Sequence, residues 1–406
     1  MNDWERKQLG EVCQIIGGGT PSKSNNAFYL GDIPWATVRD MKQDLLSKTE
    51  FRITKEAVKN SATNIIKKGN VVIATRVGLG RICKLEQDTA INQDLRGIIP
   101  YDSNDLSEEF LFWWFKSIST LIEKAGIGLT VQGVKLPFIK SLQISVPPLP
   151  EQNRIVAILD EAFERIDRTI ANTKKNLTNA RELFESYLNA IFIQKGDGWV
   201  ESKLGDVCKF QGGSQPPKSV FSIDKKEGYI RLIQIRDYKS DKYIVYIPKE
   251  KAKRFCKPDD VMIGRYGPPL FQILRGLEGA YNVALMKAIP TEDFVSKDFL
   301  FYFLKNRNIL NYIINSSSRT AGQTGLNKAT IEPYPIAFPT LEKQAIIVAQ
   351  LQELKAETQR LEAIYQQKLA ALNELKQTIL QKAFAGELTA DIANQATKNA
   401  EGAIAA

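Results

Sequence analysis

The sequence contains no histidine, which removes several kinds of chemistry at once. General base catalysis by imidazole, Ser-His-Asp and Cys-His nucleophile systems, and His-ligated metal sites are all excluded. Cysteine is scarce too, and the four that occur lack the C-x-x-C spacing of metal ligands. We therefore expect Cys13, Cys83, Cys208 and Cys256 to be buried free thiols.

Long apolar segments are also missing. The first residues form no apolar signal segment, and no run approaches the roughly 18 apolar residues that span a membrane. We expect a cytoplasmic protein with no membrane contact. At 406 residues, with 43% hydrophobic and 25% charged residues, the chain is long enough for two or three globular domains and is not of the disordered class.

Motifs of the enzymes that act on DNA are missing as well. The G-x-x-x-x-G-K-[ST] phosphate loop of a translocase does not occur. The nearest approach to the Asn/Asp-Pro-Pro-aromatic site of a methyltransferase is Gly267-Pro268-Pro269-Leu270, which is typical of a turn. The nuclease-like triplets Glu353-Leu354-Lys355 and Glu374-Leu375-Lys376 lie in helical patterns and are expected to be solvated. The sequence predicts no catalytic residue and no metal site.

What the sequence does contain is an internal repeat. Trp4 and the pairs Leu9-Gly10 and Gly17-Gly18 return 195 residues later, starting at Trp199. Near the other end of each copy, residues 144–152 return as residues 336–344. The framing segments are kept while the interiors differ, which predicts two non-identical copies of one unit that do one kind of thing at two places.

Each copy combines a mixed segment with a helical one. Short β-branched runs between Gly, Pro and Asn turn signals predict a compact α/β domain. The segment that follows lacks internal Gly and Pro and predicts one long helix. The predicted fold class is α+β, with two tandem globular α/β domains separated by two long helices. The expected boundaries are 1–150 for the first domain, 151–195 for the first helix, 196–340 for the second domain, 341–386 for the second helix and 387–406 for the C-terminal tail.

The apolar spacing of the two helices predicts how they pack. In both helices the apolar residues are spaced alternately four and three positions apart, so that they form a heptad stripe along one face. A stripe of this kind requires a partner helix. At ~1.5 Å per residue, the stripe is too long to be covered by one domain of this size. We expect an antiparallel coiled coil with one domain at each end. The stripe of the first helix also passes through Tyr187. The expected contact residues are Leu159, Phe163, Ile166, Ile170, Leu177, Phe184, Ile191, Leu351, Leu354, Leu361, Leu372, Leu375 and Ile379.

Positive charge is concentrated in the two domains. The net charge is +3 over residues 1–150 and +7 over residues 196–340, but 0 over residues 151–195. That distribution fits two modules that approach an anion such as a nucleic acid backbone. An excess of this size is also compatible with solubility alone.

In combination, several motifs resemble the specificity (S) subunit of type I restriction–modification systems, over residues 1 to about 390. They include the Trp…Leu-Gly-Glu/Asp-Val start of each copy. The others are Gly18-Gly19-Thr20-Pro21-Ser22-Lys23, Gly213-Ser214-Gln215-Pro216-Pro217-Lys218, Ile33-Pro34-Trp35-Ala36-Thr37-Val38-Arg39-Asp40, Ile230-Arg231-Leu232-Ile233-Gln234-Ile235-Arg236-Asp237, Pro147-Pro148-Leu149-Pro150-Glu151-Gln152 and Ile379-Leu380-Gln381-Lys382-Ala383-Phe384-Ala385-Gly386-Glu387-Leu388.

The resemblance implies a sequence-specific DNA recognition subunit without catalytic activity. It implies two target recognition domains, each of which reads one half of a split, asymmetric site in double-stranded DNA. The two helices would set the spacing and dock two modification (methyltransferase) subunits, and restriction subunits would join that complex. The chain itself would bind no cofactor, whereas the complex would use S-adenosylmethionine in the modification subunits and ATP with Mg in the restriction subunits.

Candidate DNA-contacting residues lie in Gly-flanked segments, where the chain can approach DNA closely. Arg, Gln and Asn distinguish base edges, while Lys, Ser and Thr hold phosphates. Arg39-Asp40 and Arg236-Asp237 recur in both copies and are equally compatible with a scaffold role. Residues 126–135 and 318–328 differ between the copies and are the better candidates for sequence reading. The candidates are Thr20, Ser22, Lys23, Arg39, Arg76, Arg81, Gln132, Lys218, Arg236, Arg265, Arg275, Arg319, Gln323 and Lys328.

Two alternative functions remain at this stage. A structural coiled-coil adaptor with basic domains that bind an acidic protein would show no sequence-specific DNA binding. A self-sufficient nuclease or methyltransferase with unfamiliar motifs would show metal- or adenosylmethionine-dependent activity when purified alone.

Overall fold

A computed structural model of the chain describes residues 4–126, 133–317 and 325–388. The first domain contains eleven of the strands and five short helices in this part of the chain. Its strands are β1 (Glu5–Gln8), β2 (Cys13–Gly17), β3 (Ile33–Ala36), β4 (Leu45–Leu46), β5 (Phe51–Ile53), β6 (Asn64–Ile66), β7 (Val71–Ala74), β8 (Ile82–Leu85), β9 (Thr89–Ile91), β10 (Leu95–Pro100) and β11 (Gln143–Val146). Its helices are α1 (Leu9–Val12), α2 (Lys55–Lys59), α3 (Glu108–Ser117), α4 (Ser119–Ala125) and α5 (Leu136–Ser141).

Two sheets form the body of the first domain, and a third, two-stranded sheet closes it. A five-stranded sheet has the order β2-β10-β7-β8-β4, and a four-stranded sheet has the order β5-β3-β9-β6. The third sheet is β1 paired antiparallel with β11, which brings the start of the domain against its end. Strands β9 and β10 are consecutive but belong to different sheets. The turn between them, residues 92–94, therefore crosses from one sheet to the other.

The core of the first domain follows from its apolar runs. All four residues of β7 are buried, as expected of a central strand that is covered on both faces. Helix α3 begins at a Ser107 cap whose hydroxyl accepts the Phe110 N–H at 3.2 Å. Its aromatic residues from Phe110 to Phe115 are buried between the sheet and a long helix, α6 (Leu149–Gln194), where Trp113 packs against Phe163 with a centroid distance of 4.6 Å.

The second domain repeats this plan with ten strands and four short helices in its described part. The strands are β12 (Val200–Lys203), β13 (Cys208–Gly212), β14 (Tyr229–Ile233), β15 (Tyr246–Pro248), β16 (Phe255–Cys256), β17 (Val261–Gly264), β18 (Gln272–Leu274), β19 (Gly279–Tyr281), β20 (Leu285–Pro290) and β21 (Pro335–Phe338). The helices are α7 (Leu204–Val207), α8 (Lys297–Leu304), α9 (Arg307–Ser317) and α10 (Lys328–Ile331). A second long helix, α11 (Leu341–Phe384), follows.

Strand order confirms the repeat at the level of topology. The sheet β13-β20-β17-β18 matches β2-β10-β7-β8, and β12 pairs with β21 as β1 does with β11. The parallel pair β14–β19 corresponds to the parallel pair β3–β9. The prediction of two tandem α/β domains is confirmed, and the turn between β19 and β20, residues 282–284, again connects two different sheets.

The chain divides into two compact units, and each long helix contributes to both. Unit 1 is Met1–Thr173 with Gln367–Ala406, and unit 2 is Lys174–Gln366. Each unit therefore contains one domain, one part of α6 and one part of α11.

Within each unit the two helices pack against each other in antiparallel orientation. In unit 1 the Lys376 ammonium contacts the Asp167 carboxylate at 2.5 Å and lies 4.7 Å from the centre of the Phe163 ring. In unit 2 the Arg181 Nε is 3.0 Å from Glu362 Oε2. Further along the same helix, Tyr187 meets Gln350 at 3.5 Å. Partner numbers fall as the α6 numbers rise, which is the antiparallel arrangement predicted for the coiled coil.

Most of the predicted contact residues face inward. Those buried are Leu159, Phe163, Ile166 and Leu351, and those partly buried are Ile170, Leu177, Phe184, Ile191, Leu354, Leu361, Leu372 and Ile379. Two stripe positions depart from the prediction. Leu375 is 45% exposed and Tyr187 is 39% exposed, while their neighbours Lys376 and Leu188 take the inward positions.

The departure has a geometric cause. A straight α-helix drifts by ~20° per heptad relative to a strict seven-residue repeat. Each exposed position lies about four heptads into its stripe, so the drift approaches the ~100° that separates neighbouring residues. At these positions the residue that points inward is therefore the one that follows the heptad position. In α6 it delivers Leu188 and Phe192 to the core of the second domain.

Two further predictions concern the cysteines and the membrane. All four cysteines are free and buried, as expected. Burial raises the pKa of the Cys13, Cys83 and Cys208 thiols to about 12 and that of Cys256 to about 11. Among the described helices, none is both long enough and apolar enough to cross a membrane.

Candidate nucleic-acid interface

A groove of about 830 Å³ in the first domain brings together three of the predicted DNA-contacting residues, Thr20, Lys23 and Arg39. Its walls come from the loop after β2, the end of β3 and the turn between β9 and β10. Its other lining residues are Asn26, Tyr29, Leu30, Trp35, Thr37, Val38, Phe51, Val77, Asn92, Gln93 and Asp94. The groove thus combines two cationic groups and one carboxylate, that of Asp94, with amide and aromatic groups, a mixture that suits a polyanion with aromatic bases.

The loop after β2 is held by its glycines and by neighbouring donors. A Cβ on Gly18 would lie 2.2 Å from the Asn92 carbonyl oxygen, so only glycine allows the two backbones to approach this closely. The Gly19 carbonyl accepts hydrogen bonds from Trp35 Nε1 at 3.2 Å and from the Thr63 hydroxyl at 2.8 Å. Thr20 extends from this fixed segment, and its hydroxyl donates to Gln93 Oε1.

Arg39 and Asp40 have separate roles. The Asp40 carboxylate accepts the Thr37 N–H at 2.8 Å and the Glu50 N–H at 2.7 Å, which fixes the turn. Arg39 is exposed on that turn and lines the groove. The recurring aspartate therefore holds the backbone, and the arginine beside it is available to a ligand.

The second domain builds the same turn with Arg236 and Asp237. Asp237 is buried and accepts the Gln234 N–H at 2.9 Å. Burial raises the pKa of the Asp237 carboxyl, against the opposing effects of that hydrogen bond and of nearby Arg231. Arg236 is exposed, with its guanidinium 5.1 Å from the centre of the Tyr243 ring.

The remaining candidates in the first domain lie outside the groove lining or beyond the described residues. Arg76 and Arg81 are exposed, and Arg81 donates to the Val38 carbonyl at 3.0 Å, which places it next to a residue of the groove wall. Ser22 is exposed and bonds to Ser24 at 2.8 Å. Gln132 lies outside the described residues.

In the second domain some candidate side chains are exposed, and others are already bonded to groups of the same domain. Lys218 and Lys328 are exposed. Arg265 donates to the carbonyls of Leu326 at 2.9 Å and Val283 at 3.2 Å. Arg275 pairs with Asp298, and its guanidinium lies 4.6 Å from the centre of the Phe301 ring, contacts that favour a role within the domain. Arg319 and Gln323 lie outside the described residues.

The sequence-based candidates did not include Gln93, although it lies in the groove and bonds to one of them. The internal repeat contains a signal for this residue. Ala90-Ile91-Asn92 in the first copy aligns with Ala280-Tyr281-Asn282 in the second, and the two residues that follow this shared segment differ between the copies. Across residues 4–126, 133–317 and 325–388, no group of three or more Cys, Asp or Glu could hold a metal ion. The groove offers hydrogen-bond donors, acceptors and positive charge, which suit binding.

Comparison with known proteins identifies one family. The sequence model described as the type I restriction modification DNA specificity domain matches residues 1–179 and again residues 196–372. The MjaIX specificity subunit of Methanocaldococcus jannaschii is 27% identical over 254 residues, and this match covers 57% of the chain and only 57% of that relative's own length. The StySPI specificity subunit of Salmonella potsdam is 22% identical over an alignment of 421 positions, which covers 95% of the chain and 89% of the relative.

Solved structures agree on the fold. One solved structure concerns the complex assembly and conformational transition of a type I R-M system. A chain of that structure superposes on this chain with a TM-score of 0.77 at 20% identity. The match covers 95% of this chain and 98% of that one. At this identity the similarity supports the tandem-domain fold over almost the whole length.

Proposed function

The chain belongs to the type I restriction–modification DNA specificity domain family, and we propose that it is the sequence-specific DNA recognition subunit of such a system. The family model matches twice, once over each copy of the internal repeat. Two copies of one recognition domain in a single chain are suited to reading two separate stretches of one DNA duplex.

The observation that carries the proposal is the groove of the first domain together with its repeated frame. The loop after β2 and the Arg-Asp turn are present in both domains, while the exposed side chains around them differ. A shared frame with different exposed groups is the arrangement needed to hold DNA in one manner and to read different bases. Each domain therefore recognises its own half of a split, asymmetric site.

The residues proposed to contact DNA are those that the structure leaves exposed. In the first domain Lys23 and Arg39 line the groove, and Ser22, Arg76 and Arg81 are exposed as well. In the second domain Lys218, Arg236 and Lys328 are exposed. Lysines neutralise phosphates, and arginines bind either phosphate or guanine edges. Gln132, Arg319 and Gln323 remain candidates on the basis of the sequence.

The two long helices are proposed to set the distance between the half-sites and to dock two methyltransferase subunits. Helix α6 has 46 residues and α11 has 44, and each contributes to both compact units. Because every unit contains the same pairing of one helix with the other, a partner subunit meets nearly the same surface twice. The proposed division of the chain is 1–150, 151–195, 196–340 and 341–386, with a tail at 387–406.

The chemistry of the complex is proposed to reside in its other subunits. The methyltransferase subunits use S-adenosylmethionine, and restriction subunits use ATP with Mg. The chain itself supplies DNA recognition without a cofactor or a catalytic residue, and it acts in the cytoplasm, where its DNA substrate lies.

The deciding experiment is to co-express the chain with the methyltransferase subunits of its own system and to map methylated adenines across the host DNA. We expect one split, asymmetric motif. Replacing residues 1–145 with those of a relative should change one half of that motif and leave the other unchanged.

Three results would contradict the proposal. An absence of sequence-specific methylation, with the complex assembled, would favour a structural adaptor. Methyltransferase or nuclease activity from the purified chain alone would show that recognition and chemistry are not separated. A swap that changes both halves would mean that the domains do not read independently.

A further inference from the structure

The turns at residues 92–94 and 282–284 have the same backbone frame in the two domains. Asn92 N–H donates to the Ala36 carbonyl at 3.0 Å, and Asn282 N–H donates to the Ile233 carbonyl at 3.0 Å. Each asparagine side chain then accepts the N–H two residues on, from Asp94 and from Ala284, at 3.1 Å in both cases. Both asparagines are buried and their side chains fix the turn, although Asn92 also contributes to the wall of the groove.

The middle residue of each turn is exposed and differs between the domains. It is Gln93 in the first and Val283 in the second, and Val283 is 45% exposed. The flanking backbone repeats as well, since the third residue of each turn accepts an N–H from the strand beside it, Thr75 at 2.8 Å and Arg265 at 2.9 Å. The side chains of Gln93 and Val283 therefore project from equivalent backbone positions in the two domains. One side chain is a polar amide and the other is apolar.

The surroundings of Gln93 prepare its amide for a hydrogen-bonded ligand. It lies in the groove with Lys23 and Arg39, which are suited to phosphate. The Thr20 hydroxyl donates to Oε1 and so restrains the rotation of the amide. Oε1 keeps a second lone pair, and Nε2 keeps its two hydrogens. An acceptor beside a donor is the pattern that matches N6 and N7 of adenine in the major groove.

The surroundings of Val283 leave its methyl groups as the exposed part of the turn. Its carbonyl accepts a hydrogen bond from Arg265 Nη1 at 3.2 Å. The Arg265 guanidinium also lies 5.3 Å from the centre of the Tyr266 ring, so this arginine is held against the turn. A valine side chain offers a base edge no hydrogen bond, and apolar contact in the major groove is made with the thymine methyl group.

We infer that Gln93 and Val283 are specificity-determining residues at equivalent places in the two domains. Gln93 reads an adenine in one half-site, and Val283 contacts the methyl group of a thymine in the other. The inference rests on the proposed function, because it requires each domain to read one half of a split site.

The test uses the full chain assembled with its methyltransferase subunits and duplex oligonucleotides that carry the motif found for the wild type. Adenines of one half-site are replaced one at a time by 7-deaza-2′-deoxyadenosine, which lacks the N7 acceptor. Thymidines of the other half-site are replaced by 2′-deoxyuridine, which lacks the methyl group. The dissociation constant of each duplex is measured for the wild type, Gln93→Val and Val283→Ala.

One adenine substitution should weaken wild-type binding roughly tenfold and leave Gln93→Val unaffected. One thymidine substitution should weaken wild-type binding about fourfold, as expected for one methyl group, and leave Val283→Ala unaffected. Val283→Gln should change the preferred base at one position of its own half-site only. Matched controls are Gln143→Val and Val200→Gln, which alter exposed residues of the same type on β11 and β12.

The outcomes separate the inference from the proposed function. If the wild-type complex shows no split motif, the proposed function itself fails. If it shows one but every base analogue weakens wild type and variants equally, these two residues do not read bases and the recognition function stands. Because both side chains are exposed, unchanged melting temperatures of the variants will confirm that the fold is intact. Thr20→Val, which replaces the hydroxyl that restrains Gln93 with a methyl group of similar size, should reduce the same adenine preference in part.

Discussion

Gln344 makes in the second domain the same three hydrogen bonds that Gln152 makes in the first. Gln152 Oε1 accepts the Ser107 N–H at 2.9 Å, and its Nε2 donates to the carbonyls of Asp105 at 2.6 Å and Pro147 at 2.8 Å. Gln344 bonds at 2.9, 2.7 and 2.9 Å to the corresponding groups of Ser296, Phe294 and Pro339. Both side chains are fully buried, and each is the fourth residue of its long helix. The start of each helix is thereby tied to the loop before the aromatic helix of its domain.

Replacing either glutamine by leucine should destabilise the unit that contains it. The change keeps the side-chain volume but leaves one buried N–H and two carbonyls without a partner. We expect the free energy of unfolding to fall by about 3 kcal/mol for Gln152→Leu or Gln344→Leu. Chemical denaturation of the full chain, followed by circular dichroism, measures this. Gln366→Leu, at an exposed position of α11, should change it by less than about 0.5 kcal/mol. A loss below about 1 kcal/mol at the buried positions would show that water replaces these bonds.

Lys23→Ala should weaken DNA binding without altering the preferred sequence. Lys23 is exposed in the groove of the first domain, where an ammonium neutralises one phosphate. The slope of log K against log salt concentration should therefore become shallower by about 1. Titrations at several salt concentrations measure the slope, and Lys174→Ala, an exposed charge on α6, serves as the control. An unchanged slope would place Lys23 away from the DNA backbone.

The four buried thiols predict a loss of stability in alkaline solution. Burial holds their pKa values at about 12, or about 11 for Cys256, against an ordinary value of 9.0. A thiol with a raised pKa in the folded state stabilises the fold fully below pH 9 and loses that contribution as the pH rises towards the folded value. The melting temperature should decline above about pH 9, and a variant with all four cysteines changed to alanine should decline less. Parallel curves for the two proteins would contradict this account.

Lengthening both helices should move the two half-sites apart. Four residues inserted in register after Thr173 and after Gln366, where the helices pass from one unit to the other, add about 6 Å at ~1.5 Å per residue. The recognised spacer should grow by roughly two base pairs at ~3.4 Å each. Methylation mapping measures the spacer. Insertion into one helix alone disrupts the antiparallel register and should reduce recognition without a defined new spacer, whereas an unchanged spacer in the double insertion would exclude the ruler function.

The sequence predicted the parts of the structure that the repeat marks. The domain starts, the Pro-rich helix starts and the long helices were all evident because they occur twice in nearly the same form. The apolar stripes predicted that the two helices pair, and the connectivity of the chain predicted their antiparallel orientation. A strict heptad misplaced Leu375 and Tyr187, since the real helix has slightly more than 3.5 residues per turn.

The groove was less predictable because it is assembled from distant segments. Thr20 and Gln93 are 73 residues apart in the chain and meet only when two sheets share the turn between β9 and β10. Composition and spacing do not encode such proximity. Arg275 shows the same limit, because its Gly-flanked position in the sequence does not reveal its pairing with Asp298, which lies 23 residues further along the chain.

The division of the chain into units also fixes the order in which its parts can fold during synthesis. Unit 2 is one uninterrupted stretch, Lys174–Gln366, whereas unit 1 needs residues from both sides of it. Leu380 and Ala383 belong to the core of the first domain, and the Phe384 ring packs 5.2 Å from that of Phe110. The core of the first domain is therefore complete only after α11 has been synthesised, whereas every residue of unit 2 is present once the chain reaches Gln366. Until then, the part of the aromatic core that α11 covers stays open in the nascent chain, and exposed apolar surface of this kind favours aggregation and chaperone binding.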